Sequence, residues 1–567
     1  MKIRAGRYLT FILLLGALIA AIALEPGGFW GGVLVIVLLA LCSLGVWDLL
    51  QKPHAILRNY PVIGHARWLV EMIRPEIRQY LLESDTEATP FSRAQRSLVY
   101  RRAKEEPSDH PFGTLIDVYG RDYEFIQQSL APILTPDPAS FRIVIGNDQC
   151  AQPYSASILN ISAMSFGALS ANAIRALNKG AAMGGFYHDT GEGSISAYHL
   201  ESGGDIVWQI ASGYFGCRDE HGRFNPVRFA EQAALPQVKM IELKLSQGAK
   251  PGHGGVLPGG KVTPEIARTR HVPIGVDCIS PARHSMFETP LEMLAFLGQL
   301  RTLSGGKPVG FKLCIGLPWE FMAIVKAMIE TGIVPDFIVV DGAEGGTGAA
   351  PAEFSDHIGV PMREGLLFVH NTLVGAGLRH RVRLGAAGKL ISAFDIAAVL
   401  AMGADWVNCA RGFMFALGCI QSMSCHTNRC PTGIATQDPG RSRALVVPDK
   451  AERVRRFHER TVAALAEMLG AAGLSHPDDL HPRHLVHRVD SAEIHQFDRM
   501  HYFATPNDLV ENRSKSAFYQ DNWDIAQVGS FAPLIHEHAT GQRDREPQQV
   551  PRTDRGAEGK SGRYLRA

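Results

Sequence analysis

The chain has 567 residues, and its 57 basic side chains balance 56 acidic ones to a formal net charge of +1, which gives no reason to expect a nucleic-acid partner. The nine cysteines are odd in number and are not spaced as a disulfide framework, which indicates a reducing compartment. The length exceeds that of a typical domain, although a decorated barrel can use most of it.

Residues 1–50 contain two apolar runs, 8–24 and 29–50, separated by a short turn. A spanning helix needs roughly 17–25 apolar residues, so the sequence predicts a hairpin of two transmembrane helices. A cleaved signal peptide is the alternative interpretation of the first run. Basic residues flank the hairpin on both outer sides, at Lys2, Arg4, Arg7, Lys52, Arg58, Arg67, Arg74 and Arg78. The turn carries no Lys or Arg, so the positive-inside rule predicts a multi-pass protein of the cell membrane with a cytoplasmic catalytic domain.

Residues 51–150 are polar and mixed, with helical stretches at 68–83 and 91–105. We expect this segment to form a collar that packs on the domain that follows and has no chemistry of its own.

Short β-rich runs alternate with helical stretches across residues 151–480. The predicted strands are 157–161, 184–188, 239–245, 273–276, 309–314, 337–341, 381–385 and 405–409. Eight strands in this alternation favour an α/β fold, a (β/α)8 TIM barrel, with a doubly wound parallel sheet as the competing topology. The active site of a barrel lies at the carboxyl ends of its strands.

Beyond the barrel we expect an edge segment at 481–535. Residues 536–567 are rich in Arg, Gln, Gly, Asp and Glu and poor in apolar residues, a composition that predicts a disordered tail.

A cysteine-rich loop at 418–439 carries the spacing C-x5-C-x4-C-P, with Cys419, Cys425 and Cys430 as the three thiols. Clustered thiolates are soft ligands that suit iron–sulfur clusters or zinc. Zinc sites usually contain C-x2-C pairs, and His426 lies too close to Cys425 in the chain to turn onto the same metal. A three-thiolate iron–sulfur cluster is one interpretation, and three buried cysteines acting as small apolar residues are the other.

This loop resembles the cluster loop of the glutamate synthase family, in which it holds a [3Fe-4S] cluster. The resemblance extends to SAMSFGALS at 162–170, TGEG at 190–193, QGAKPG at 247–252 and GGTGAAP at 345–351. It covers roughly residues 112–474, and it implies a barrel that binds FMN.

The resemblance also implies which residues contact FMN. The backbone of four residues would lie along the flavin ring: Ser162, Ala163, Met164 and Ser165. The family positions place Lys312 near the N1–C2 carbonyl region, where a cation stabilises reduced flavin; a salt-bridged barrel lysine is the alternative. Gly345, Gly346 and Thr347 would line the next loop. The phosphate would lie in the loops after strands seven and eight, at Gly388, Lys389, Ala410 and Arg411, although Arg411 could instead be a structural ion-pair partner.

Three catalytic residues are expected on the substrate side. Lys250 and Arg270 match the positions that hold the carboxylates of 2-oxoglutarate, and Glu192 matches the glutamate beside the substrate; loop charges solvated by water are the alternative for Lys250 and Arg270. The chain departs from the family at His253, where the family has Glu, and at Val256, where the family has a Gln that contacts substrate. These departures put the substrate itself in doubt.

The resemblance implies reductive formation of glutamate from 2-oxoglutarate and ammonia or an amine through an imino acid. One alternative is a related amino-acid oxidoreductase or an N-alkylglutamate-forming enzyme, and another is a membrane electron-transfer subunit without turnover of its own. No G-x-G-x-x-G follows a strand and precedes a helix, so we expect a ferredoxin or another protein to donate electrons. The glutaminase domain of the full-length family members has no counterpart here, so glutamine hydrolysis would need a separate subunit.

Overall fold

The computed structural model describes residues 6–24, 27–78, 82–86, 90–107, 109 and 111–534. The tail predicted to be disordered, the basic residues Lys2 and Arg4, and half of the turn in the apolar hairpin lie outside the described residues.

Strands form one closed sheet and three small ones. In chain order the strands are β1 (Glu124–Ile126), β2 (Arg142–Ile145), β3 (Tyr154–Ser157), β4 (Leu159–Ile161), β5 (His188–Asp189), β6 (Ile206–Ile210), β7 (Val238–Lys244), β8 (Val256–Leu257), β9 (Cys278–Ile279), β10 (Val309–Leu313), β11 (Phe337–Asp341), β12 (Arg383–Ala387), β13 (Trp406–Cys409), β14 (Leu485–Arg488) and β15 (Ile494–Gln496). A barrel closes in the order β4-β5-β6-β7-β10-β11-β12-β13, and every neighbouring pair is parallel. This confirms the predicted eight-stranded barrel over the open, doubly wound sheet.

Helices follow most barrel strands and also lie before and after the barrel in the described part of the chain. They are α1 (Leu9–Leu24), α2 (Phe29–Leu50), α3 (Ala55–Asn59), α4 (Gly64–Ile77), α5 (Arg93–Lys104), α6 (Ala171–Gly184), α7 (Ala197–Leu200), α8 (Pro226–Ala233), α9 (Pro264–Arg270), α10 (Pro290–Leu303), α11 (Pro318–Thr331), α12 (Ala352–His357), α13 (Met362–Gly375), α14 (Ala393–Ala401), α15 (Arg411–Leu417), α16 (Pro439–Ser442), α17 (Val447–Ala471), α18 (Phe497–Met500) and α19 (Ala517–Ile525). Several begin with a side-chain cap that satisfies free backbone N–H groups, as Ser170 does for α6.

Seven of the eight predicted strands overlap strands of the barrel, and the prediction for 273–276 is wrong. That run lies in the long excursion between β7 and β10, where Ile274 and Val276 are exposed. The strand that the prediction missed is β6, whose five residues are all buried. A short apolar run has the same local pattern in a barrel strand and in a loop, so burial by the neighbouring strands decided the difference.

The amino-terminal apolar segment forms two helices that pack against each other through Leu18, Ala21, Leu38 and Cys42. Helix α2, with 22 residues, is long and apolar enough to cross a membrane, whereas α1 has 16 residues and falls short of that criterion. Of the two predicted transmembrane helices, length and composition therefore support one.

The collar packs on the barrel only in part. Phe91 and Tyr100 contact the ring of Phe415 on α15 edge to face, so Phe91 and α5 lie on the barrel. Residues 66–74 of α4 are exposed without exception, so the expectation of packing is wrong for this helix.

Strands β1, β14 and β15 form a three-stranded antiparallel sheet. It joins the collar to the predicted edge segment, and Glu124 of β1 accepts two hydrogen bonds from Arg363 of α13.

Candidate active site at the mouth of the barrel

The interior of the barrel is polar on five neighbouring strands, although barrel interiors are usually filled by branched apolar side chains. The polar side chains are Asp189 on β5, Gln209 on β6, Glu242 on β7, Lys312 on β10 and Asp341 on β11. On β6, Trp208 stacks on Phe229 of the outer helix α8, so the neighbouring Gln209 points into the barrel. Its Nε2 donates to Glu242 Oε1 at 2.6 Å. We call these five residues the polar belt.

Two carboxyl groups of the polar belt favour their protonated forms. Burial raises the pKa of Asp189, and repulsion from Glu242 raises it further. Burial also raises the pKa of Glu242. Since the two carboxyl groups are neighbours that repel each other, one shared proton relieves the repulsion between them.

Lys312 remains a cation at this position. Its amine lies 3.3 Å from Asp341 Oδ2, so the ion pair foreseen as an alternative is present. Burial alone would lower the pKa of Lys312, but the carboxylates of Asp341, Glu242 and Asp189 outweigh burial and raise it to about 12. The amine of Lys312 therefore favours its protonated form and is paired with Asp341.

The TGEG loop after β5 packs directly against the segment after β4. A Cβ at Gly191 would lie 2.8 Å from the Ser165 nitrogen, and a Cβ at Gly193 would lie 2.7 Å from the Ser165 side chain. Ser162 and Met164 are buried, while the alternate residues Ala163 and Ser165 remain partly exposed. The glycines thus let the two loops pack closely, while Ala163 and Ser165 keep one side of the segment accessible to a ligand.

Glu192, in the same loop, is surrounded by cations. Lys244 Nζ lies 3.3 Å from Glu192 Oε2. Burial raises the pKa of Glu192, but Lys244, Arg270 and Lys250 together outweigh it and lower the pKa. Burial also lowers the pKa of Lys250. The three predicted substrate residues therefore come together, and sequence reasoning missed Lys244 among them.

Arg270 reaches the segment after β4 from the end of α9. Its Nη2 donates to the Phe166 carbonyl at 2.8 Å and to Ser165 Oγ at 3.3 Å. The Nε of Arg270 is buried and lacks a hydrogen-bond partner among the described residues. Three cations thus share one carboxylate, and this excess positive charge suits an anionic ligand.

The position of Lys244 at the end of a predicted barrel strand could have identified it from the sequence. It is the last residue of β7, and conserved chemistry in barrels is built from residues at the carboxyl ends of strands. The substrate residues were instead predicted from the family motifs, and Lys244 lies three positions before the first residue of the motif QGAKPG.

The loops after β12 and β13 bring Lys389 and Arg411 together. Burial lowers the pKa of Lys389, and repulsion from Arg411 lowers it further. Gly388 has a φ of +150° and Lys389 a φ of +50°, so the chain turns sharply here. Arg411 donates to the Glu344 carbonyl at 2.7 Å and its guanidinium lies 4.8 Å from the centre of the Phe91 ring.

The glycine-rich loop after β11, residues 345–347, lies against the side chain of Arg411. A Cβ at Gly346 would lie 3.0 Å from the Arg411 side chain, so a larger residue there would displace it. Gly345 and Thr347 flank Gly346, and Ala410 directly precedes α15. Two neighbouring cations beside small residues form a donor set that fits a phosphate group.

The cysteine loop connects α15 to α16. Burial raises the pKa of Cys419 to about 12 and also raises the pKa of Cys425, and in both cases neighbouring thiols of the trio contribute. Burial alone would raise the pKa of Cys430, but the hydroxyl of Thr432 and nearby backbone N–H groups outweigh it and lower the pKa. In the part of the chain that the structure describes, no three His, Cys, Asp or Glu side chains are arranged to hold a single metal ion.

The environment of the three thiols nevertheless fits an anionic cluster, in which each thiolate binds a different iron. Lys261 is buried beside them, and its amine donates to the Cys425 carbonyl at 2.8 Å and to the Ala435 carbonyl at 3.2 Å. Tyr100 of α5 donates to the Cys419 carbonyl at 2.5 Å. Sequence reasoning missed both residues, because neither lies near the cysteines in the chain.

Hydrogen bonds fasten the cysteine loop to the segment after β4. Gln437 Nε2 donates to the carbonyls of Gly167 at 2.9 Å and Leu169 at 2.8 Å. Ser170 Oγ donates to the Gly433 carbonyl at 2.7 Å. The cysteine loop therefore lies beside the barrel mouth rather than apart from it.

Comparison with known proteins found relatives of this chain along most of its length. Residues 124–475 match the model of a conserved region in glutamate synthase. The chain is 38% identical over 514 residues to the glutamate synthase large subunit-like protein YerD of Bacillus subtilis, covering 84% of this chain and 98% of that protein. It is 36% identical over 321 residues to the archaeal glutamate synthase [NADPH] of Methanocaldococcus jannaschii, covering 56% of this chain and 60% of that protein.

Solved structures with a similar arrangement include a mandelate oxidase variant with (S)-mandelic acid, at a TM-score of 0.40 and 16% identity, covering 69% of this chain and 97% of that chain. Another is lactate oxidase of Pediococcus acidilactici, at a TM-score of 0.38 and 14% identity, covering 72% of this chain and 92% of that chain.

Proposed function

Because the chain belongs to the glutamate synthase family of oxidoreductases, we propose that it uses FMN and a [3Fe-4S] cluster to form glutamate from 2-oxoglutarate and ammonia or an amine. The observation that carries this proposal is the convergence of Lys244, Lys250 and Arg270 on Glu192. A dicarboxylate would supply the negative charge that one glutamate cannot provide for three cations.

Glu192 has a separate role in this proposal. Its lowered pKa keeps it ionised near neutral pH, so it can accept a hydrogen bond from the positively charged nitrogen of an iminium substrate. Arg270, held by the Phe166 carbonyl, would orient one substrate carboxylate. The surrounding cations would thereby fix the imine carbon against the flavin ring.

The residues for FMN are those at the barrel mouth. Lys389 and Arg411 would hold the phosphate, and the backbone of residues 162–165 would support the ring. Lys312, which the polar belt keeps protonated, would stabilise negative charge on the ring. Bound FMN would supply the hydride chemistry that this reaction needs.

We also propose that Cys419, Cys425 and Cys430 ligate the cluster. Its position beside the barrel mouth, fastened by Gln437, would allow single electrons from a ferredoxin or another donor protein to reach the site. A separate subunit would supply ammonia if glutamine is the amine source.

The apolar hairpin would anchor the enzyme in the cell membrane with its barrel in the cytoplasm. Helix α2 supports this part by its length and composition, and the basic residues after it support the orientation.

Purification from the native membrane tests the proposal. We expect stoichiometric FMN, an electron paramagnetic resonance signal from the cluster, and glutamate formation with 2-oxoglutarate, ammonia and reduced ferredoxin. A native preparation without FMN would falsify the proposal. Intact cofactors without turnover of any 2-oxo acid would favour the electron-transfer subunit instead.

A second candidate function keeps the cofactors but changes the substrate. Val256 of β8 is 43% exposed, and the His253 ring packs on Phe354, with ring centres 5.3 Å apart. An apolar side chain at the mouth suits the alkyl group of an amine or a different amino acid better than a polar contact would. A substrate screen that follows reoxidation of the reduced enzyme separates the two functions. Reoxidation by 2-oxoglutarate with alkylamines, but not with ammonia, would favour the second.

A further inference from the structure

Helix α4 exposes an apolar stripe that the described residues leave largely uncovered, although the His54 ring lies 5.8 Å from the Trp68 ring. All residues from 66 to 74 are exposed, and the exposed fraction reaches 57% for Leu69 and 67% for Met72. A short helix gains most of its stability from burying its apolar face. A surface that covered this face would therefore stabilise the helix.

The apolar side chains lie together on one side of α4. Trp68, Leu69, Met72 and Ile73 recur at the spacing that makes residues neighbours on a helix. Arg67, Glu71 and Arg74 lie on the opposite side, where Arg74 is within 3.9 Å of Glu71. The helix is thus amphipathic, with its polar side available to water.

The start of α4 is fastened to the end of α2. His65 Nε2 lies 2.9 Å from Asp48 Oδ1, and the Val62 N–H donates to Asp48 Oδ2 at 2.9 Å. Asp48 is fully buried by these contacts and lies two residues before the end of α2. Whatever depth the end of α2 takes in a membrane, α4 begins at the same depth.

We propose that α4 lies flat in the cytoplasmic interface of the bilayer, with its apolar stripe among the acyl chains and its basic residues at anionic lipid headgroups. This inference rests on the proposed membrane anchoring by α2. Amphipathic helices that bind membranes in this way combine an apolar face with Lys and Arg on the polar face. The cytoplasmic leaflet also attracts basic residues next to a spanning helix.

The charge of the segment favours a lipid surface over a second copy of the chain. Residues 51–78 carry five basic residues, Lys52, Arg58, Arg67, Arg74 and Arg78, against two acids, Glu71 and Glu76. Two copies placed stripe to stripe would leave this excess of positive charge unbalanced. An anionic surface would neutralise it.

Photo-crosslinking of the full chain in its native membrane tests the inference. Benzoylphenylalanine would replace Leu69 or Met72 on the stripe, Arg67 on the polar side as a matched control, and Ile36 in α2 as an anchor control. We expect lipid adducts at positions 69, 72 and 36, and several-fold fewer at 67. Adducts at 36 without adducts at 69 and 72 would overturn the inference while the anchor stands.

The remaining outcomes also decide the matter. Crosslinks from position 69 to a second copy would overturn the inference in favour of a dimer. Adducts at none of the positions would overturn the anchor and the interfacial helix together. Adducts at 69 and 72 alone would support the interfacial helix and reject the spanning one.

Hydrogen exchange of the unsubstituted chain in lipid nanodiscs provides a second test, which does not depend on whether a substituted chain folds. We expect the amides of residues 64–77 to exchange several-fold more slowly with phosphatidylglycerol present than with phosphatidylcholine alone. The double variant Arg67→Gln, Arg74→Gln should lose this difference. Equal exchange in both lipids for the unsubstituted chain would contradict the role of anionic headgroups.

Discussion

The amine of Lys244 lies 3.3 Å from the carboxylate of Glu192. This contact joins the carboxyl end of β7 to the loop after β5, and it brings a third cation to the pair expected from the family motifs. Because Lys250 and Arg270 also lower the pKa of Glu192, the four side chains form one electrostatic unit. Changing any of them should alter the others.

The charge of Lys250 should limit substrate binding at alkaline pH. Burial lowers the pKa of its amine, so the amine loses its charge at a lower pH than an exposed lysine does. As pH rises through this lowered pKa, we expect KM for the 2-oxo acid to increase. In Lys250→Arg the guanidinium stays charged, so the increase should move to higher pH or disappear. An unchanged profile in this variant would show that another group titrates.

Arg270 should bind substrate through its planar fork. Arg270→Lys removes the paired donors, and since a hydrogen bond to a charged group contributes about 1.5–3 kcal/mol, we expect KM to rise about ten- to a hundredfold. Arg381→Lys is the control, because Arg381 pairs with Asp148 just before β12 begins, at the other end of the barrel. An equal rise of KM in both variants, measured by steady-state kinetics, would count against substrate contact by Arg270.

Cys430 should be required for the iron–sulfur cluster. Hydrogen bonds lower its pKa despite burial, so it loses its proton more readily than Cys419 and Cys425. We expect Cys430→Ser to lose iron and the paramagnetic signal, and Cys150→Ser, at a partly exposed cysteine outside the loop, to retain both. Full iron content in Cys430→Ser would remove the cysteine loop from consideration as the cluster site.

The shared proton of Asp189 and Glu242 should make stability depend on pH. Burial raises the pKa of Asp189, so the folded protein binds more protons than the unfolded chain above about pH 4, the ordinary pKa of Asp, and stability falls as pH rises. Asp189→Asn resembles the protonated acid, so its melting temperature should fall less between acidic and neutral pH. Glu231→Gln, at an exposed position of α8, should keep the slope of the parent. Parallel slopes in all three proteins would reject the shared proton.

Asp336 should stabilise the amino-terminal end of the barrel. It is fully buried, lies 3.0 Å from Arg301 Nη2, and accepts from the backbone N–H groups of Asn147 and Val309 at 2.8 Å each. Removing one partner of a buried ion pair costs about 3–5 kcal/mol, so Asp336→Ala should lower the melting temperature markedly. Asp148→Ala, which breaks a largely exposed pair, should have little effect. Similar melting temperatures for the two variants would contradict this ranking.

Local sequence patterns predicted most of the scaffold. Seven barrel strands were recognisable because each is a short apolar run followed by a helical stretch. The prediction placed a strand at 273–276 and missed β6. Both are short runs rich in β-branched residues, and only packing inside the barrel distinguishes them. The sequence also could not predict that the apolar face of α4 is exposed, because its apolar spacing is the same as that of a helix packed on a core.

The sequence by itself determined the barrel, the apolar hairpin and the thiol spacing, because each depends on residues that are close together in the chain. Only the tertiary structure decided that Lys244 meets Glu192 across 52 positions and that Lys261 meets Cys425 across 164. It also decided that five strands turn polar side chains into one belt. Such contacts arise when closure of the barrel brings distant strand ends to one rim, and no local pattern encodes which ends will meet.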